Sequence, residues 1–178
     1  MKILILGIGN ILFGDEGIGV HLSNLLKVNY TFNTNHTLDI IDGGTMAQHL
    51  IPIITQYDEV LILDCVDAKD AEIGAVYYFD FREIPHNITW AGSAHEVEML
   101  QTLQMIEMLG DLPNTKILGI KPVIIGTDPT FEISPKVLEG AKIMEEQALK
   151  FLESFNISHT KKDNKSLQEI ANLSYKGF

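Results

Sequence analysis

The sequence predicts a three-layer α/β domain built on a mostly parallel sheet. Three observations carry that expectation. The runs Ile3 to Leu6 and Val60 to Leu63 are apolar without alternation, as in strands buried on both faces. Between such runs, apolar residues recur at helical spacing, first at Ile18, Leu22, Leu25 and Leu26. Strand and helix patterns then follow one another as β-α-β-α-β-β-α-β-α, the order of a layered α/β unit with right-handed crossovers.

The first strand, Ile3 to Leu6, closes at Gly7, and Gly9 and Gly14 let the chain turn into a helix from about Gly17 to Tyr30. A polar stretch, Thr31 to His36, leads to the second strand, Leu38 to Ile41. Asp42-Gly43-Gly44-Thr45 ends it, and Thr45 is placed to cap a helix from Met46 to about Ile54, ragged at Pro52. The third strand, Val60 to Leu63, ends at Asp64. Ala75 to Phe81 is the fourth. It follows with no helix between, which favours an antiparallel neighbour.

Ser93-Ala-His-Glu96 reads as a capping box, opening a helix that turns Met99, Leu100, Leu103, Ile106 and Leu109 inward. Ile117 to Ile125, broken by Pro122, is a further strand region. Ser134-Pro135 starts the last helix, which runs to about Phe155. Residues 1–155 are thus expected to form one α/β domain. Residues 156–178 are rich in Lys, Asn and Ser, carry only a weak helical pattern (Leu167, Ile170, Leu173) and are expected to be poorly ordered. Their deletion is expected to spare activity.

A chain of 178 residues is long enough for one domain with a sizeable core, and 46% hydrophobic against 21% charged residues is ordinary for a globular protein. A net charge of −11 and a pI near 4.8 argue against nucleic acid or an anionic membrane as partner. One cysteine, Cys65, excludes an intrachain disulfide and a cysteine-rich zinc site. There is no signal-peptide pattern and no apolar run near the ~18–20 residues of a membrane helix, so the expected location is the cytoplasm; a monomer is the default expectation, since nothing in the sequence reads out oligomeric state.

Strand, glycine loop and helix together suggest a phosphate loop, but Leu12 fills the third glycine slot of G-x-G-x-x-G and no G-K-[ST] follows. Asp15 and Glu16 would also repel an anion there. Asp15 can cap the helix while Glu16 complements its dipole; alternatively one carboxylate faces a crevice, ready for a cation. Asp42 and Asp64 lie at strand ends, where ligands bind in open α/β sheets, yet Asp42 before Gly-Gly also suits a turn and Asp64 a strand terminus. His95 falls in a first helical turn, a place that disfavours imidazolium and tolerates the neutral ring that metals bind. Two carboxylates and an imidazole suit a divalent ion such as Ni²⁺, Zn²⁺ or Mn²⁺. His21, His36, His49, His86 and His159 show no ligand spacing, Cys65 reads as a small hydrophobe, and neither H-E-x-x-H nor G-x-S-x-G occurs.

Taken together, Gly7-Ile-Gly9-Asn10-x-Leu12-x-x-Asp15-Glu16-Gly17-Ile-Gly19, Asp42-Gly43-Gly44-Thr45, Leu63-Asp64, Ser93-x-His95 and Gly119-Ile-Lys-Pro122 resemble the hydrogenase maturation endopeptidases over about residues 1–155. That family trims the C-terminus of the large subunit of nickel–iron hydrogenases. The resemblance implies a phosphorylase/hydrolase-like, five-stranded mixed sheet of order 2-1-3-5-4 with strand four antiparallel. It implies Glu16, Asp64 and His95 as metal-contacting residues, and Glu16, Asp64 and Asp42 as the residues on which activity depends. The metal would be nickel supplied by the precursor, with zinc able to substitute. Cys65 departs from the family's usual alanine and places a soft donor beside Asp64. A non-enzymatic nickel-binding or assembly chaperone on the same fold is the alternative.

Overall fold

The structure, a computed structural model, describes residues 1–89, 94–123 and 128–178, with the side chain of His95 outside the description. In chain order the elements are β1 (Lys2–Ile8), α1 (Ile18–Asn29), β2 (Tyr30–Asn33), β3 (Thr37–Gly44), α2 (Ile51–Ile54), β4 (Glu59–Cys65), β5 (Val76–Asp80), α3 (Ala94–Leu109), β6 (Asn114–Ile120), α4 (Pro135–Glu153), β7 (Ser158–Lys161) and α5 (Leu167–Leu173).

The main sheet has the order β3-β1-β4-β6-β5, with β5 alone antiparallel. Counted by the predicted strands, this is the expected 2-1-3-5-4. Both faces of the central strands are buried because successive side chains point to opposite sides. Ile3, Ile5, Leu61, Leu63 and Leu118 pack with Ile18, Leu22, Val137 and Met144 of α1 and α4. Leu4, Leu6, Val60, Ile62 and Ile117 pack with Leu50, Ile54, Met99, Leu103 and Ile106 on the other side. Each such residue contributes roughly 1.5–3 kcal/mol on leaving water, which is why the strands read as unbroken apolar runs. No helix among the described residues is long and apolar enough to cross a membrane.

Several expectations need correction. A 3₁₀ turn, Gly14–Gly17, precedes α1, which ends at Asn29 because Tyr30 is already extended. Residues 46–54 form a 3₁₀ turn (Ala47–Leu50) and the four-residue α2, with no side-chain cap from Thr45. Pro52 sits in the first turn of α2, where a missing N–H costs little. β6 stops at Ile120, before Pro122; residues 124–125 of the predicted strand lie outside the described residues. Leu109 points outward at 70% exposure, since α3 ends there and the core lies behind Ile106.

The largest difference is at the C-terminus. β7 pairs antiparallel with β2, so Thr31 to Asn33 are strand rather than linker. Helix α5 opens with a capping box, the Ser166 hydroxyl accepting from Glu169 N and the Glu169 carboxylate accepting from Ser166 N. Leu167, Ile170 and Ala171 enter the core that contains α1 and α4. Asn29 fastens the tail: its amide donates to Lys165 O at 2.9 Å and accepts from Lys165 N at 3.1 Å. Three apolar positions on a short helix are a faint pattern, but α1 and α4 supply the partner surface.

Candidate active site

The glycine motif brings the loop, α1 and two strand ends into close contact. Gly9 sits at φ +144° and its N–H donates to Gly44 O at 3.0 Å. Asn10 N donates to Glu16 O at 3.1 Å, so the loop folds back on itself, and a Cβ on Gly9 would overlap that Glu16 carbonyl. A Cβ on Gly19 would overlap the carbonyl oxygens of Ile8 and Leu63. Only glycine lets the first turn of α1 bear directly on the ends of β1 and β4. Glu16 lies three residues before Gly19, and Asp64 directly follows Leu63.

The two adjacent acids divide their roles. Asp15 is 2% exposed and its carboxylate ties the loop to the start of α4. Oδ1 accepts from Ser134 N at 2.8 Å; Oδ2 accepts from Ser134 Oγ at 2.9 Å and Val123 N at 3.0 Å. Asp15 therefore serves a helix that starts 120 positions along the chain rather than its own. Ser134 makes no side-chain cap to α4 because its hydroxyl serves Asp15. Glu16 is half-buried at the mouth of the loop.

Cys65 links the end of β4 to the glycine loop. It is fully buried, and its thiol donates to Asp15 O at 3.0 Å. Burial pushes the thiol well above its usual range, and the charges of Asp64, Glu96, Asp15 and Glu16, in that order, push it further. Charges from three separate elements thus act on one sulfur atom. The thiol stays protonated, so Cys65 is a packed hydrogen-bond donor and not a ready soft ligand.

Asp64 is wholly buried, and Cys65 N donates to its Oδ1 at 2.8 Å. Glu96, in the first turn of α3, is 2% exposed. Sequence reasoning assigned it to a capping box with Ser93, which hid its burial; Ser93 lies outside the described residues. The His95 backbone belongs to that same first turn, and its neighbour Glu96 is close enough to act on Cys65. Among the described residues, no group of three His, Cys, Asp or Glu side chains is arranged to hold a metal ion.

Asp42 stands on the other flank of β1. Gly7 pairs with Asp42 on β3 and with Leu63 on β4, so Asp42 and Asp64 lie at nearly the same level. Asp42 is exposed and shapes the predicted turn, its Oδ1 accepting from Gly44 N at 3.0 Å and its Oδ2 from Asn24 Nδ2 at 3.4 Å. It opens onto a cleft of about 360 Å³ lined by Gly9, Asn10, Leu12, Asp42, Thr45 and Tyr175. Asn10 is the hinge between the two places: its side chain accepts from Leu12 N at 3.1 Å on the cleft side, while its N–H holds Glu16. The buried carboxyl groups of Asp15, Asp64 and Glu96 thus lie in the interior, while Asp42 presents an exposed carboxylate to an open cleft.

Known proteins share this sequence pattern and fold. The family model described as hydrogenase maturation protease matches residues 20–151. Protein HydD of Wolinella succinogenes is 56% identical over 159 residues, covering 89% of this chain and 100% of that one. The hydrogenase 2 maturation protease of Escherichia coli is 31% identical over 137 residues, 74% of this chain and 82% of that protein. The solved structure of the hydrogenase maturating endopeptidase HybD from Escherichia coli superposes with a TM-score of 0.78 at 25% identity, covering 91% of this chain and 98% of that one.

Proposed function

Because this chain belongs to the hydrogenase maturation protease family and is a peptidase, we propose that it removes a C-terminal peptide from the nickel-loaded precursor of a nickel–iron hydrogenase large subunit. Glu16, Asp64 and His95 sense the bound nickel, and Asp42 takes part in hydrolysis. The single observation that supports this most is the contact between the glycine loop, which carries Glu16, and the end of β4, which carries Asp64: Cys65 Sγ donates to Asp15 O at 3.0 Å across 50 positions of the chain. Carboxylate and imidazole donors suit a borderline divalent ion, nickel first and zinc as a substitute. In this reading the nickel belongs to the substrate and arrives with ligands of its own. The protease then needs to offer only a few donors.

Recognition and hydrolysis fall on the two sides of the glycine loop. Nickel held at the half-buried Glu16, with the charge of the buried Asp64 behind it, sets the register of the precursor, and the segment beyond it runs across the loop into the cleft. There the exposed Asp42 carboxylate, oriented by Gly44 N and Asn24, acts as general base. Water oxygen bonds to the scissile carbonyl carbon and a water proton passes to Asp42. The C–N bond then breaks as the leaving amine takes up that proton.

The test is incubation of the protein with precursor prepared with and without nickel, read by loss of a short C-terminal peptide in mass spectrometry. Cleavage of the nickel-loaded form alone is expected. Glu16→Gln and Asp64→Asn should stop it, and Asp42→Asn should slow it by about 10²–10⁴-fold, the usual worth of a general base. Binding of the precursor without cleavage would overturn the hydrolytic reading. Equal cleavage of nickel-free precursor would overturn the sensing role.

A further inference from the structure

The C-terminal tail carries an aromatic side chain into the cleft that holds Asp42. Gln168 of α5 anchors it, its amide donating to Phe131 O at 2.9 Å and accepting from Ile133 N at 3.0 Å. Farther along, the Ser174 hydroxyl bonds to His21 Nδ1 at 2.8 Å in the interior. The next residue, Tyr175, lies beside Phe131 with ring centroids 6.1 Å apart, yet it remains 60% exposed and lines the cleft. An anchored backbone and a neighbouring ring hold this tyrosine in place while most of its surface stays in water.

Leu12, itself 46% exposed, lines the same cleft from the glycine loop. Asn10, Asp42 and Thr45 supply its polar groups. This mixed lining suits an extended peptide, with an apolar side chain against Tyr175 and Leu12 and main-chain amides toward the polar groups. A tyrosine already fixed in place loses little conformational freedom on binding. Tyr175 also lies beyond residue 151, where the family match stops, so its contribution belongs to the part of the chain outside that match.

We propose that Tyr175 is a substrate-positioning residue: its ring and Leu12 grip an apolar side chain of the precursor's C-terminal segment and hold the scissile bond beside Asp42. This rests on the peptidase reading given above.

The experiment measures cleavage of nickel-loaded precursor by the full chain and by Tyr175→Ala, Tyr175→Phe and Leu12→Ala. Tyr78→Ala, at an exposed position on the edge strand β5, is the control. Precursor affinity is measured separately by calorimetry. Tyr175→Ala and Leu12→Ala should each raise KM and Kd by about tenfold with kcat nearly unchanged, the signature of lost binding that is uniform through the reaction. Tyr175→Phe should restore wild-type values, and Tyr78→Ala should match them. A Tyr175→Ala protein with unchanged Kd overturns the proposal, whether or not cleavage occurs. A wild-type chain that binds the precursor without cutting it, while Tyr175→Ala binds poorly, overturns the peptidase reading and leaves the docking role standing.

Discussion

Acidification should unfold this protein through one histidine in particular. His21 sits within α1 with no exposed surface, and burial lowers its pKa from 6.5 to about 4. Its Nδ1 meets Ser174, and its Nε2 has no hydrogen-bond partner among the described residues. The folded chain therefore keeps the ring neutral at pH values where the unfolded chain protonates it. Because the folded pKa is depressed, the neutral ring's contribution is complete above pH 6.5 and is lost as pH falls toward 4. One pKa unit corresponds to about 1.4 kcal/mol, so the loss is about 2 kcal/mol by pH 5 and about 3 kcal/mol by pH 4. Urea unfolding followed by circular dichroism from pH 7.5 to pH 4.5 reads this directly. His21→Gln, which cannot titrate, provides the comparison, and only the difference in pH slope matters. Parallel profiles for the two proteins would show that His21 is not the acid-sensitive group.

Three further outcomes are expected. Gly19→Ala should cost about 3 kcal/mol, because the added Cβ meets backbone carbonyls of two central strands and cannot rotate away; a melting temperature unchanged within 2 °C (about 0.5–1 kcal/mol for a domain this size) would refute the packing account. Asp15→Ala should cost about 3 kcal/mol by leaving Ser134 N and Val123 N without their charged acceptor, a fall of roughly 6–12 °C on thermal melting. If Asp15→Ala instead melts normally but no longer cleaves precursor, Asp15 belongs to the chemistry rather than to the scaffold. Deletion of residues 157–178 should remove the partner of β2 and uncover the α1–α4 core, giving a chain with little cooperative unfolding by calorimetry. A truncated protein that melts sharply and processes precursor would restore the expectation read from composition.

Much of the fold was legible in the sequence. Strands buried on both faces write themselves as continuous apolar runs, and a glycine motif signals where backbone must approach backbone. The resemblance supplied the order of the strands, which local patterns leave open. Glu16, Asp42 and Asp64 were visible as acids at strand and loop ends, because α/β sheets place chemistry there. The division of labour between Asp15 and Glu16 was not visible, since both are acidic residues at one helix entrance. The deciding partners, Val123 and Ser134, lie more than a hundred residues away.

Local pattern also hid Glu96, whose capping-box position explained it too well, and it gave no sign that Asp64 is covered completely. The C-terminal segment shows the same boundary most clearly. Its composition is polar, and Leu167 and Ile170 are too few to announce a packed helix on their own. The sequence by itself determined which residues prefer strand, turn or helix and which carry charge. Only the tertiary structure decided that α1 and α4 offer the tail an apolar seat, that Ser174 meets His21, and that Tyr175 lines the same cleft as Asp42. Such pairings depend on surfaces brought together across the whole chain, and no window along the sequence contains both partners.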